Sequence, residues 1–328
     1  MQPLLEIKEL ITVFDTNRGR IKAVDGVSLS LQQGETLGIV GESGCGKTML
    51  AMSIMRLIPA NGSIINGSVS FQGQDLLKLS AEEIRAKRGN EIAMIFQEPM
   101  TSLNPVIRIG EQIAEAIRLH QNLSAKDSLA LSIEQLREVG ISEPERRAQD
   151  YPHQLSGGMR QRVMVAMAMS CHPRLLLADE PTTALDVTIQ AQILDLISDL
   201  KEKNNMAVIL ITHDLGIVAQ TADNVAVMYA GKIVENSPVD EIFTNPLHPY
   251  TKGLIASLPS GCGSDRQRHL KTIPGSVPSL YNLAAGCSFQ ERCSLATSQC
   301  KEHEPKLVEI KSGHHAACWI AQQTQKMN

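Results

Sequence analysis

Residues Gly41 to Thr48 read GESGCGKT and place two glycines, a lysine and a hydroxyl at the spacing G-x-x-x-x-G-K-[ST]. That spacing serves one task, the cradling of phosphate. The glycines let the backbone turn tightly, so that N–H groups of Gly41, Glu42, Ser43, Gly44, Cys45 and Gly46 can line one concavity beside a helix N-terminus. Lys47 adds a mobile cation for the outer phosphates, and Thr48 offers a hydroxyl to Mg²⁺. The context agrees: a strand-like run, Thr36 to Val40, precedes the loop, and a helical run opens near Lys47.

Far downstream, the apolar run Arg174 to Ala178 ends in Asp179 and Glu180. Ligands collect at the carboxyl edge of parallel strands, which is where such a pair would stand. Asp179 is the candidate to hold Mg²⁺ and Glu180 the candidate to face an attacking water. Phosphoryl transfer asks little covalent work of the protein, so a group that orients water and cations that neutralise charge supply most of the rate. Taken alone, an acidic pair after an apolar run is more often a solvated strand end. The phosphate loop upstream reverses that weighting.

These residues need a scaffold. The chain opens with β-rich segments, Leu4 to Leu31 and Thr36 to Val40, followed by the loop, its helix and a short strand, Ser68 to Phe71. From Pro99 to Ser170 apolar residues recur at three- and four-residue spacing, as in Ile109 to His120 and Ala125 to Val139, which predicts an inserted helical block. A helical stretch is predicted over Val163 to Ser170. Strands and helices then alternate from Arg174 to Leu258, as in a mostly parallel sheet. The last 70 or so residues are richer in Pro, Gly, Cys and polar types and read as an appended module.

Composition narrows the class. A chain of 328 residues with 43% hydrophobic residues has room for one large core with attachments. A net charge of −4 and 3% aromatic residues give no basic face and no stacking platform, so no nucleic-acid partner is expected. Apolar stretches such as Val163 to Met169 fall far short of the roughly 18 residues a spanning helix needs. A soluble chain without a secretory signal is expected.

Between loop and acidic pair lies Leu155-Ser156-Gly157-Gly158-Met159, and here the chain resembles the ATP-binding cassette (ABC) family from about residue 4 to 260. Gln97 matches that family's Q-loop glutamine, Ala184-Leu185-Asp186 its D-loop, and His213 its switch histidine. Phe14 is the candidate to stack on adenine. Met159 departs from the glutamine usual at that position, leaving the Ser156 hydroxyl and the Gly157 and Gly158 amides as the signature's donors. The resemblance implies an α/β P-loop ATPase domain over 1–260, with an antiparallel β subdomain, a helical subdomain at about 99–171 and a small cysteine-containing extension over 261–328. It further implies that Ser156, Gly157 and Gly158 close over ATP bound to a second ATPase subunit, identical or paralogous, with Asp186 at that interface. Glu180, His213, Gln97 and Lys47 would be the catalytic residues, with Thr48, Gln97 and Asp179 around Mg²⁺. One phosphate loop, one signature and the absence of a long heptad segment set the chain apart from tandem translation-associated cassettes and from coiled-coil chromosome ATPases.

The stretches Gln97 to Pro105, Tyr151 to Leu155, Ala178 to Asp186 and His248-Pro249-Tyr250-Thr251 are similar to the dipeptide and oligopeptide importer ATPases, a group that includes nickel importers. This implies a motor at the cytoplasmic face of the cell membrane, with two permease subunits and an extracytoplasmic solute-binding protein. The rivals are a cassette ATPase that serves no importer and a regulatory protein built on its cysteines.

Cys287, Cys293, Cys300 and Cys318 cluster in the tail, with five, six and seventeen residues between them, whereas Cys45, Cys171 and Cys262 are scattered. A disulfide framework is not expected at a reducing cytosolic site. The spacings miss those of structural zinc and of ferredoxins. Buried inert thiols, a zinc site recruiting His303, His314 or His315, and a four-thiolate cluster that staples a small module all remain open. The importer resemblance implies a [4Fe-4S] cluster.

Overall fold

A computed structural model describes residues 2–97, 102–183, 185–258 and 272–325. Part of the Gln97 to Pro105 stretch, Ala184 of the D-loop, Cys262 and the 260/261 boundary lie outside the described residues. The chain divides into two units, one of Met1–Leu31, Thr36–Leu77 and Ile211–Asn328, the other of Gln32–Glu35 and Lys78–Leu210.

In the first unit an antiparallel sheet runs in the order Gly19–Leu31, Leu5–Thr16, Gly62–Phe71, Gln74–Asp75. Leu5 pairs with Leu31 and Phe14 with Ile21 across the first hairpin. Register shifts between Ile7 and Val13 let Leu10, Thr12, Val13 and Phe14 all turn inward, which strict alternation would forbid. The strand predicted over Ser68 to Phe71 begins six residues earlier, at Gly62. It pairs along its length with Leu5–Thr16, from Phe14 opposite Gly62 to Leu5 opposite Phe71, a partner that local composition does not reveal.

The phosphate loop follows the strand Thr36–Val40, buried at every position and parallel to Asn224–Tyr229. Burial on both faces is the condition of a parallel strand, and the continuous apolar run reflects it. Beyond Asn224–Tyr229 lie Lys232–Pro238, His314–Ala316 and Val308–Lys311, all antiparallel. The tail expected as an appended module therefore adds two strands to this sheet. Its seam is polar. Glu235, 0% exposed, accepts hydrogen bonds from the Leu247 and His248 amides at 2.7 and 2.8 Å, and His314 Nε2 lies 2.7 Å from its Oε1.

Burial opposes ionisation of Glu235, yet His314, Thr251 and the two amides together outweigh it and hold its carboxyl below the ordinary value of 4.5. Its stabilising contribution is thus complete above pH 4.5 and lost as pH falls through the lower native value. Glu235→Gln is expected to cost about 3 kcal/mol at pH 7, with the gap to wild type closing below the ordinary carboxylate range. Urea unfolding at pH 7 and in mild acid checks this; an equal gap at both would contradict it.

In the second unit Ile92–Ile95 pairs in parallel with Leu175–Asp179, next to Ala207–Thr212. The unit boundary falls within that third strand. The helical block consists of Ile109–Gln121, Ala125–Glu138, Pro144–Arg147 and Gly157–Met169. Ile109, Ile113 and Ile117 recur every fourth residue and are fully buried, so one face of the first helix supplies the core of the block. The helix predicted from Val163 begins at Gly157, because the Ser156 hydroxyl caps it by accepting the Met159 amide at 3.3 Å. Among the described residues no helix is long and apolar enough to cross a membrane.

Candidate functional site

The first unit carries the phosphate loop. Gly46 sits at φ 108°, the residue before the helix Lys47–Met55, and a Cβ there would lie 2.2 Å from the Ala23 carbonyl oxygen. Only glycine meets both demands. Gly41 is bounded just as closely, since its Cβ would come 2.2 Å from the Met228 carbonyl oxygen. Lys47, 6% exposed, folds back and donates to the carbonyls of Gly41 at 2.7 Å and Glu42 at 3.1 Å. Ser43 and Gly44 are exposed and Thr48 is half-buried. Cys45 is fully buried, and burial raises its thiol pKa, so it contributes backbone and packing.

His213 stands exposed at the end of Ala207–Thr212. Its neighbour Asp214 accepts from the amides of Gly216 at 2.7 Å and Ile217 at 3.3 Å, which fixes the start of the helix Leu215–Thr221 beside it. Phe14 is 8% exposed, and its ring lies against Gly62, where an added Cβ would meet it at 2.6 Å. The ring thus presents little surface to a base in this conformation.

The second unit carries the acids, Gln97 and the signature. Leu175–Asp179 is buried throughout, with Asp179 1% exposed at its carboxyl end. Glu180 follows at φ 46°, a left-handed conformation that costs a residue other than glycine roughly 1–2 kcal/mol. Its Oε2 accepts from Gln97 Nε2 at 3.0 Å and from Thr183 Oγ1 at 2.8 Å. The sharp turn and two donors aim one carboxylate and join residues 83 positions apart.

The signature lies at the start of Gly157–Met169, with Ser156 and Gly157 exposed. A Cβ on Gly158 would come 2.9 Å from Ile189, so the second glycine is demanded by the close approach of the helix Val187–Asn204. Asp186 is exposed and caps that helix through the Ile189 amide at 3.0 Å.

Cys287, Cys293, Cys300 and Cys318 line one small cavity in the first unit, with Phe289 and Trp319 among its walls. All four are free thiols. Burial first, then the neighbouring thiols, pushes Cys287 up to about 11, and burial raises Cys293 and Cys318. Among the described residues no group of three or more His, Cys, Asp or Glu is placed to hold a metal ion. None of His303, His314 and His315 lines the cavity. His314 is bound to Glu235 instead.

One functional candidate had no signal in the sequence. Arg292 of the tail grips Glu42 of the phosphate loop, NH1 to Oε2 at 2.6 Å and NH2 to Oε1 at 3.1 Å. Nothing local marks a residue whose partner is 250 positions away.

Comparison with known proteins places the chain in a family. Residues 24–183 match the ABC transporter family model, and residues 234–300 match that of the oligopeptide/dipeptide transporter C-terminal region. A dimeric, post-hydrolysis ATP-binding cassette, MJ0796, solved with ADP and Pi, superposes with a TM-score of 0.65 at 26% identity, covering 72% of this chain and 98% of its own. The fold is that of an ABC-type ATPase. Over 96% of its length the chain is 54% identical to the probable peptide ABC transporter ATP-binding protein y4tR of Sinorhizobium fredii, covering 94% of that protein. It is 50% identical to the oligopeptide transport ATP-binding protein AppD of Bacillus subtilis, over 98% of this chain and 97% of that one. The chain belongs to the family of ABC transporter ATP-binding proteins, and its activity is ATP hydrolysis.

Proposed function

We propose that this chain is the motor subunit of an importer that takes up dipeptides or oligopeptides. The observation that carries the cargo is the match over nearly the full length to peptide transport ATP-binding proteins, with the C-terminal region included. In this reading the amides from Gly41 to Gly46 and Lys47 bind the phosphates, and Glu180 takes the proton of the attacking water. Gln97 and Thr183, which already hold its Oε2, keep that carboxylate aimed. His213 contacts the γ-phosphate. Thr48, Gln97 and Asp179 would hold Mg²⁺, and hydroxyl, amide and carboxylate oxygens are the donor set that ion prefers. Mg²⁺ held there would supply positive charge against that of the phosphates.

Ser156, Gly157 and Gly158 present a hydroxyl and amides at a helix N-terminus on the surface. They serve the ATP of a second ATPase subunit, identical or paralogous, with Asp186 at the same interface. ATP favours that closed pair and hydrolysis withdraws the preference, which is how a ligand drives a conformational cycle. Two permeases and an extracytoplasmic solute-binding protein complete the system, with this chain peripheral on the cytoplasmic face. The ATPase domain extends over 1–260 and the extension over 261–328.

Cys287, Cys293, Cys300 and Cys318 would hold a [4Fe-4S] cluster. Support comes from four free thiols that line one cavity. The cluster would act as a staple. Cys293→Ser is expected to abolish the visible absorbance and acid-labile sulfide of anaerobically purified protein; undiminished sulfide would remove Cys293 as a ligand.

The motor reading is tested by phosphate release from the chain assembled with its membrane subunits. Binding protein loaded with a dipeptide is expected to stimulate hydrolysis, and nickel-loaded protein is not. Stimulation by nickel alone would move the chain to the metal branch, and no stimulation by either would contradict an importer motor.

A further inference from the structure

The phosphate loop is held from outside by the tail. Glu42 is fixed twice: its amide donates to the Tyr250 hydroxyl at 2.9 Å, and its carboxylate takes both terminal nitrogens of Arg292. The guanidinium is itself anchored. Its side chain is 5% exposed, Nε donates to the Pro274 carbonyl at 2.9 Å, and the rings of Tyr229 and Phe289 lie 5.8 and 5.9 Å from its centre. A planar fork held in this way loses little entropy in meeting a carboxylate, so the pair acts as a stiff brace.

Both ends of the brace touch something that can change. On one side, Lys47 donates to the Glu42 carbonyl at 3.1 Å, so the residue gripped by Arg292 also seats the lysine of the phosphate loop. On the other, Arg292 ends the short turn Gln290–Arg292, which Cys287 precedes and Cys293 immediately follows. Both thiols, with Phe289 and Gln290, line the cysteine cavity. A rearrangement of the cavity wall therefore moves the root of the brace.

We propose that Arg292 is a positioning residue for ATP binding, and that through Glu42 it transmits the state of the four-cysteine cavity to the phosphate loop. This rests on the phosphate loop being the ATP site. It requires only that the cavity wall shift when its thiols are altered.

The test is the Kd for ATP, with Mg²⁺, of the full chain by calorimetry. Arg292→Ala is expected to weaken binding about tenfold, the effect of losing a charge-assisted bidentate contact, raising the KM for ATP while kcat holds. Arg292→Lys keeps the charge without the fork and is expected to recover part of the affinity. Glu42→Gln, at the more exposed end of the pair, probes the same contact if Arg292→Ala fails to fold. Combined with Arg292→Ala, it is expected to add little. Cys293→Ser is expected to weaken ATP binding about fivefold in the wild-type background and to have no effect once Arg292 is alanine.

Wild-type affinity in both Arg292→Ala and Glu42→Gln would overturn the brace. An effect of Cys293→Ser that is absent from the wild-type background, or equal in both, would overturn the transmission. Failure of the wild type to bind ATP would instead overturn the assignment of the site itself.

Discussion

Glu180→Gln is expected to lower ATP turnover by about 10²–10⁴-fold, the range for loss of a general base, while ATP binding is retained. The exchange is nearly isosteric. Gln97 and Thr183 donate to Glu180 Oε2 at 3.0 and 2.8 Å, and an amide oxygen can still accept from them. What disappears is the negative charge and the ability to take a proton from water. The left-handed φ of 46° is imposed on either side chain alike, so the variant isolates chemistry from backbone conformation. Steady-state phosphate release together with the Kd for ATP separates the two effects. A variant that turns over within fivefold of wild type would remove Glu180 from the mechanism.

Lys47→Ala is expected to act on the other half of the problem, weakening ATP binding by about 10–100-fold, as loss of a charge-assisted contact to phosphate does. The ammonium lies over the loop, 2.7 Å from the Gly41 carbonyl and 3.1 Å from that of Glu42. It therefore organises the cradle before phosphate arrives and can exchange carbonyl partners for phosphate oxygens. Arginine is no substitute, because its planar fork does not replace a compact point charge in a site only 6% exposed. Nucleotide titration of Lys47→Ala checks the effect, and affinity equal to wild type would contradict the assignment of the loop.

These residues were legible because their chemistry is written contiguously. A phosphate cradle needs its glycines, lysine and hydroxyl within one turn, so Gly41 to Thr48 announces itself at fixed spacing, and the strand before Asp179 is written as one unbroken apolar run. The helices of the inserted block were legible for the same reason. The features that escaped depend on distant partners. The strand Gly62–Phe71 extends as far as Leu5–Thr16 pairs with it. His314–Ala316 is three residues long and is a strand because Lys232–Pro238 offers an edge. A glutamate such as Glu235 reads as solvent-facing until His314, 79 positions later, is seen to bury it. The cysteines were visible as a set, whereas their common cavity and the turn that ties it to Arg292 exist only in the fold. Phe14, the candidate base platform, lies against Gly62, a neighbour 48 positions away that its own sequence context does not announce.

The most direct test of the central claim is uptake of a labelled dipeptide, with labelled nickel as control, by cells whose only copy of this chain is wild type or Glu180→Gln. Dipeptide is expected to accumulate with wild type and not with Glu180→Gln, while nickel uptake is the same in both. Equal dipeptide uptake in the two strains would contradict that claim.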